Sequence, residues 1–156
     1  MKLTHQVRYD APLADVYAML TDPVFREQAA RSQGVTSVDV AVDGGDVRLD
    51  MEQPTTDLPG FGRKVVGETS KVVQAEAWNG ADTADFSITM PPLPGGIHGI
   101  RTLKVDGAGT LDTFDGESGV RIPLIGGKLE TLIGSKLKDG WDNEHALGVS
   151  WLAGDR

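Results

Sequence analysis

From Val35 to Leu124 the apolar residues of this chain recur at every second position, and beyond Gly126-Gly127 they recur every three or four. The first period sends successive side chains to opposite faces of a strand; the second draws a stripe down one side of a helix. A run of strands closed by one long helix is therefore the frame that the rest must fit. Turn formers divide the run. Val35 to Val42 is followed by Asp43-Gly44-Gly45, then by a strand with Val47, Leu49 and Met51 facing inward. Pro54 to Gly62 reads as a turn-rich loop carrying Leu58 and Phe61. Glu68 to Trp78 is a long strand, Asn79-Gly80 the strongest short hairpin signal, and Phe86, Ile88 and Met90 mark the next inward face. A second loop, Pro91 to Gly96 with Leu93, precedes the strands Ile97 to Val105 and Thr110 to Leu124, where Gly116 and Gly119 suggest a bulge. Twenty glycines in 156 residues, about twice the usual ~7% share, agree with so many turns.

Before this run, Lys2 to Tyr9 alternates, with Leu3, His5, Val7 and Tyr9 on one face of a strand. Asp10-Ala11-Pro12 supplies a capping carboxylate and a first-turn proline, and Leu13, Val16, Tyr17 and Leu20 follow as a helical stripe. Asp22-Pro23 repeats the signal for a second short helix, Val24 to Arg31, ended by Gly34. The final helix begins near Lys128 and carries Leu129, Leu132, Ile133, Leu137, Trp141, Leu147 and Trp151 along its apolar side. Lys128, Glu130, Lys136, Lys138, Asp139, Asp142 and Glu144 are assigned to its remaining surface. Gly134, Gly140 and Gly148 each cost it roughly 0.8–1.0 kcal/mol relative to Ala, so packing must compensate. Without repeats, linkers or low-complexity tracts, the chain reads as one domain, residues 1–152, with a short tail at 153–156.

Charge and cysteine content narrow the function. Fifteen Lys and Arg against 23 Asp and Glu give a net charge of −8, and between Asp39 and Asp57 six acidic residues face only Arg48. Binding to nucleic acid rests on basic side chains that neutralise phosphates, so no nucleic-acid partner is expected. The absence of cysteine removes disulfides, thiolate metal sites and cysteine nucleophiles, and fits a reducing compartment. The N-terminus lacks an apolar signal core and no run of 18 apolar residues occurs, so a cytoplasmic protein without an integral membrane segment is expected.

The order strand, two short helices, six antiparallel strands and a long helix, together with APLADVYAMLTDP (11–23) and VRIPLIGGKLE (120–130), resembles the START-like, helix-grip (SRPBCC) superfamily. That group contains pollen-allergen proteins, steroid-transfer domains and polyketide cyclases. Within it the chain is most similar to an uncharacterised bacterial domain-of-unknown-function family (number 2505), through Leu58–Phe61, Glu76–Trp78 and Pro123–Glu130. The resemblance runs from Met1 to about Leu152. It implies an α+β helix-grip fold, in which a seven-stranded antiparallel sheet curves around a long C-terminal helix, with two short helices after strand one.

Such a sheet leaves a space beneath its helix, which becomes a ligand cavity where side chains do not fill it. Candidate walls are Leu49, Met51, Phe86, Ile88, Met90, Ile100, Leu103, Leu132, Ile133, Leu137 and Trp141, with Phe61 at the mouth; the alternative is that these residues simply pack as core. His5, on the inward face of the first strand, could act as a base or orient a ligand hydroxyl, or be a hydrogen-bonded core histidine. Arg101 shares parity with Leu103 and Val105 and could anchor a carboxylate in the pocket, or form a surface ion pair. His98 reads as solvated, and His145 as stacking on Trp141. The carboxylates of strands three to five fall mostly at outward parity. The three histidines match no metal-ligand spacing, and no phosphate loop, dinucleotide fingerprint or nucleophile elbow occurs, so no catalytic residue, metal or cofactor is assigned. The expected partner is a small apolar or amphipathic molecule. The rival readings are a cyclase-, dehydratase- or hydrolase-type enzyme in the same cavity, and a protein-interaction domain with a filled core. Oligomeric state is left open.

Overall fold

A computed structural model describes the chain except residues 57, 58, 61, 62, 65, 66, 92–94, 121–125 and 156, and the backbone alone at 120 and 126. The strands are β1 (Lys2–Tyr9), β2 (Ser37–Asp43), β3 (Asp46–Pro54), β4 (Thr69–Asn79), β5 (Thr83–Thr89), β6 (Gly95–Asp106) and β7 (Gly109–Val120). They form one antiparallel sheet in the order β1-β7-β6-β5-β4-β3-β2. Strands β2 to β7 are successive neighbours, each joined to the next, while β1 sits beside the last of them. The chain must therefore cross from one sheet edge to the other. It does so through α1 (Leu13–Leu20) and α2 (Pro23–Ser32). The C-terminal helix α3 (Gly126–Leu152) packs mainly against β7, β1, α2 and α1.

Local chemistry explains most boundaries. Asp22 caps α2 by accepting from the Val24 amide at 2.8 Å, and Pro23 occupies the first turn. Gly34, just past the end of α2, has φ +84°, a conformation that favours glycine. Asp10 does not cap α1: its carboxylate pairs with Arg8, and Pro12 holds the cap position with no side-chain bond. The Asn79-Gly80 hairpin has a three-residue connection, because Asn79 pairs directly with Thr83. No bulge interrupts β7, whose pairing to β1 and β6 runs one-to-one. Its glycines have another role. Gly116 lies opposite Gly99, and a Cβ on either would collide with the neighbouring strand's backbone.

The core gathers Tyr9, Val16, Met19, Leu20 and Phe25, all within 1% of complete burial, and extends along Val47, Leu49, Phe86, Ile97 and Leu103. Ile100 points outward and is half exposed, so it walls no interior space; Ile97, Gly99, Arg101 and Leu103 take the inward parity instead. The helix glycines are positions of close approach. A Cβ on Gly134 would touch Leu3, one on Gly140 the Gln33 amide, and one on Gly148 the Tyr9 ring at 2.7 Å and Met19 at 3.0 Å. Gly148→Ala should therefore destabilise the protein by about 1–3 kcal/mol, despite a helix-propensity gain of about 1 kcal/mol. Urea denaturation checks this, and a variant more stable than the parent would contradict the packing account.

Candidate functional site

Five charged side chains meet in the interior: Arg26 from α2, Glu76 from β4, Arg101 from β6, Asp112 from β7 and Glu144 from α3. None is more than 6% exposed. Each occupies a position whose neighbours of like phase are buried, such as Trp78 beside Glu76 and Phe114 beside Asp112. Burying a charge is costly unless it is paired and hydrogen-bonded, and here the pairing is dense. Arg26 forks onto Glu76, Nη1 to Oε1 at 3.2 Å and Nη2 to Oε2 at 2.7 Å, and Nη1 also donates to the Leu20 carbonyl. Arg101 forks onto Asp112, Nε to Oδ1 at 2.9 Å and Nη2 to Oδ2 at 2.6 Å. Its Nη1 reaches Glu76 Oε2 at 3.2 Å and its Nη2 reaches Glu144 Oε1 at 2.6 Å. Gln74 Nε2 and Trp78 Nε1 complete the donors to Glu76, at 3.0 and 3.2 Å.

These contacts set the protonation states. Burial alone would push the Glu76 carboxyl up; the charges of Arg26 and Arg101, and hydrogen bonds from Arg26 and Gln74, outweigh it and hold the group at about 2. Burial would likewise weaken both guanidinium cations, but their carboxylate partners raise them above the usual value. The Tyr9 phenol is pushed up by burial and by the charges of Glu144 and Asp112, so it stays neutral.

Beside the cluster, between α3 and the inner face of β3 to β6, lies a cavity of about 310 Å³. Its apolar walls include Met51, Val72, Ile88, Met90, Ile97, Leu129, Ile133, Leu137 and Trp141. Gln74 and Glu144 bring the ion network into the same wall, while Lys136, Asp139 and Asn143 line it from the exposed part of α3. On the far side of Trp141, a void of about 10 Å³ is bounded by His5, Tyr9, Arg101, Asp112 and Glu144. It is no larger than one water molecule requires.

The sequence-derived wall residues thus separate into groups. Met51, Ile88, Met90, Ile133, Leu137 and Trp141 line the cavity. Leu49 and Phe86 lie in packed core outside its walls, Phe86 edge-on to Phe114 with centroids 4.9 Å apart. His5 and Arg101 border the small void. Phe61, Leu58 and Leu93 lie outside the described residues; Pro54 and Thr55, at the start of the first loop, reach the cavity. His5 stacks on Trp141 at 5.3 Å with Nε2 3.0 Å from Asp142 Oδ1. His145 turns instead to the Tyr9 ring and the Arg8 carbonyl, since α3 presents Trp141 to His5. His98 is exposed. Two readings need correction: Arg101 forms no surface ion pair, and Glu144 is not on the solvent side of the helix. Glu76 is the inward exception among the mostly outward carboxylates of strands three to five. The missed signal was a charged residue in phase with buried ones: Glu144 follows Trp141 by one helical turn and precedes Gly148 and Trp151 on the same face.

The strand order and the long C-terminal helix define a helix-grip fold. The family described as "Protein of unknown function (DUF2505)" matches residues 4–152, and the chain belongs to it. No curated protein matches. Among solved structures, TTHA0849 from Thermus thermophilus superposes with a TM-score of 0.69 at 17% identity, covering 98% of this chain and 97% of that one. The di-domain ARO/CYC StfQ from the steffimycin biosynthetic pathway gives 0.70 at 12% identity, over 97% of this chain and 50% of that one. Ara h 8.0201 gives 0.62 at 12% identity, over 94% and 97%. These likenesses establish the fold. Among the described residues no helix is long and apolar enough to cross a membrane, and no group of three or more His, Asp or Glu is placed to hold a metal.

The linkage of Glu76 has a definite sign. Its folded value of about 2 lies below the ordinary 4.5, so its contribution is fully present above pH 4.5 and is lost as pH falls through about 2. Urea midpoints should decline across that window, and Glu76→Gln, which cannot titrate, should flatten part of the decline. An identical slope in the variant would mean the carboxylate is not held ionised.

Proposed function

We propose that this protein binds a small amphipathic molecule, lipid-like in shape, in the cavity between α3 and the sheet. One observation carries the reading: a space of about 310 Å³ walled by Met51, Ile88, Ile133, Leu137 and Trp141 but bordered at one place by the polar Gln74 and Glu144. Ligand pockets combine these features, an apolar lining with few placed polar groups. Hiding roughly 250 Å² of apolar ligand surface contributes about 6 kcal/mol before the costs of association, which offset much of it. The walls therefore supply affinity, and the polar groups decide which molecule fits. The binding unit is residues 1–152, and a cysteine-free chain suits the cytoplasm.

Binding is favoured over turnover because the ionisable groups are engaged with one another. Arg101 serves three carboxylates and Glu76 accepts from four side chains, which leaves neither available to trade protons with a substrate. Structures of this fold include the di-domain ARO/CYC StfQ, so an assay for cyclisation belongs beside the binding test.

Leu137→Trp should fill the cavity from the helix side. A fluorescent apolar dye should bind this variant at least about tenfold more weakly than the parent. Its urea midpoint should stay close to the parent's, because the added ring enters empty space. Unchanged dye affinity in a folded variant would move the binding site elsewhere.

A further inference from the structure

We propose, resting on the cavity reading above, that the ligand carries a cationic hydrogen-bond donor: an amphipathic amine and not an amphipathic acid. Two guanidiniums, always protonated, face three carboxylates. Glu76 receives the Arg26 fork and Asp112 the Arg101 fork, which leaves Glu144 as the surplus anion. Glu144 is only 5% exposed and lines the cavity. Its Oε1 accepts from Arg101, while its Oε2 stands 3.8 Å from Arg26 Nη2, beyond hydrogen-bond reach, and takes no other hydrogen bond among the described residues. A carboxylate oxygen with unused acceptor capacity, on a residue set in the wall of a ligand-sized cavity, is open to a donor from the ligand.

Gln74, half-buried in the same wall, adds a second acceptor. Its Nε2 is committed to Glu76 Oε2 at 3.0 Å. An ionised carboxylate only accepts, so the orientation of the amide is fixed and Gln74 has its carbonyl oxygen left for the cavity it lines. Glu144 offers only acceptors, and the network takes one N–H of Gln74 and leaves its carbonyl oxygen. An alkylammonium satisfies these acceptors and neutralises the surplus charge; a hydroxyl satisfies them without the charge. A carboxylate brings a like charge beside Glu144. Arg26 and Arg101 do not line the cavity, and among the described residues the cation that does, Lys136, lies on the solvent-exposed side of α3.

Isothermal titration of the full chain at neutral pH with decylamine, decanol and decanoate, each below its micellar concentration, tests this. Decylamine should bind at least about tenfold more tightly than decanoate, with decanol between them, and it should displace decanol competitively. Glu144→Gln should bring the ratio of amine to decanol affinity down to about one, whatever it does to each affinity alone. Because that variant disturbs the network, the ranking on the parent protein decides alone if it does not fold. Decanol binding with no preference for the amine over the acid, or amine binding that does not compete with decanol, would overturn the inference and leave the cavity reading standing. Failure of all three to bind would overturn both.

Discussion

Two guanidiniums and three carboxylates, taken out of water together, fix how this molecule is assembled. The five residues come from α2, β4, β6, β7 and α3, so no pair of neighbouring elements can form the network alone. A buried ion network is poor evidence of net stability, since desolvation offsets most of the attraction. Removing one partner is another matter, because it strands the others at a cost of about 3–5 kcal/mol. The arrangement therefore acts as a registration device. The Arg26 fork is made only if α2 crosses the sheet edge at one place, and Glu144 meets Arg101 only if α3 lies at one height and rotation.

The cavity follows from that registration. α3 settles against β1 and β7, where Gly134 and Gly148 let Leu3 and Tyr9 approach its backbone. Over β3, β4 and β5 the walls Met51, Val72, Ile88 and Leu137 leave a space open. Trp141 divides the interior, with its ring packed on His5 and Phe114 on one side and open to the cavity on the other. The polar network and the apolar space are thus adjoining parts of one arrangement, sharing Glu144 and Gln74.

The architecture was legible in the sequence because it rests on periodicity. A period of two gave the strands and the stripe from Leu129 to Trp151 gave the helix. Local turn chemistry was less decisive: Asp10 had a better partner in Arg8 than a helix cap, and Gly116 serves a close strand crossing and not a bulge. The site was only half legible. Its apolar walls at Met51, Ile88, Met90, Ile133, Leu137 and Trp141 follow from facing inward, a one-dimensional property. The network does not, because pairing Arg26 with Glu76 across fifty residues is a property of the folded state. An acidic residue reads by default as part of a solvated face, although Glu76, Asp112 and Glu144 all stand in phase with buried neighbours.

The central claim is that the network holds α3 clear of the sheet and that the resulting space takes an amphipathic ligand at its polar border. A crystal structure with decanol bound tests it most directly. The account predicts an alkyl chain along Met51, Ile88, Ile133 and Leu137, with the hydroxyl at Glu144 and Gln74 and the Arg26–Glu76 and Arg101–Asp112 forks intact. Side chains filling the space, with the alcohol bound elsewhere or the forks broken, would contradict it.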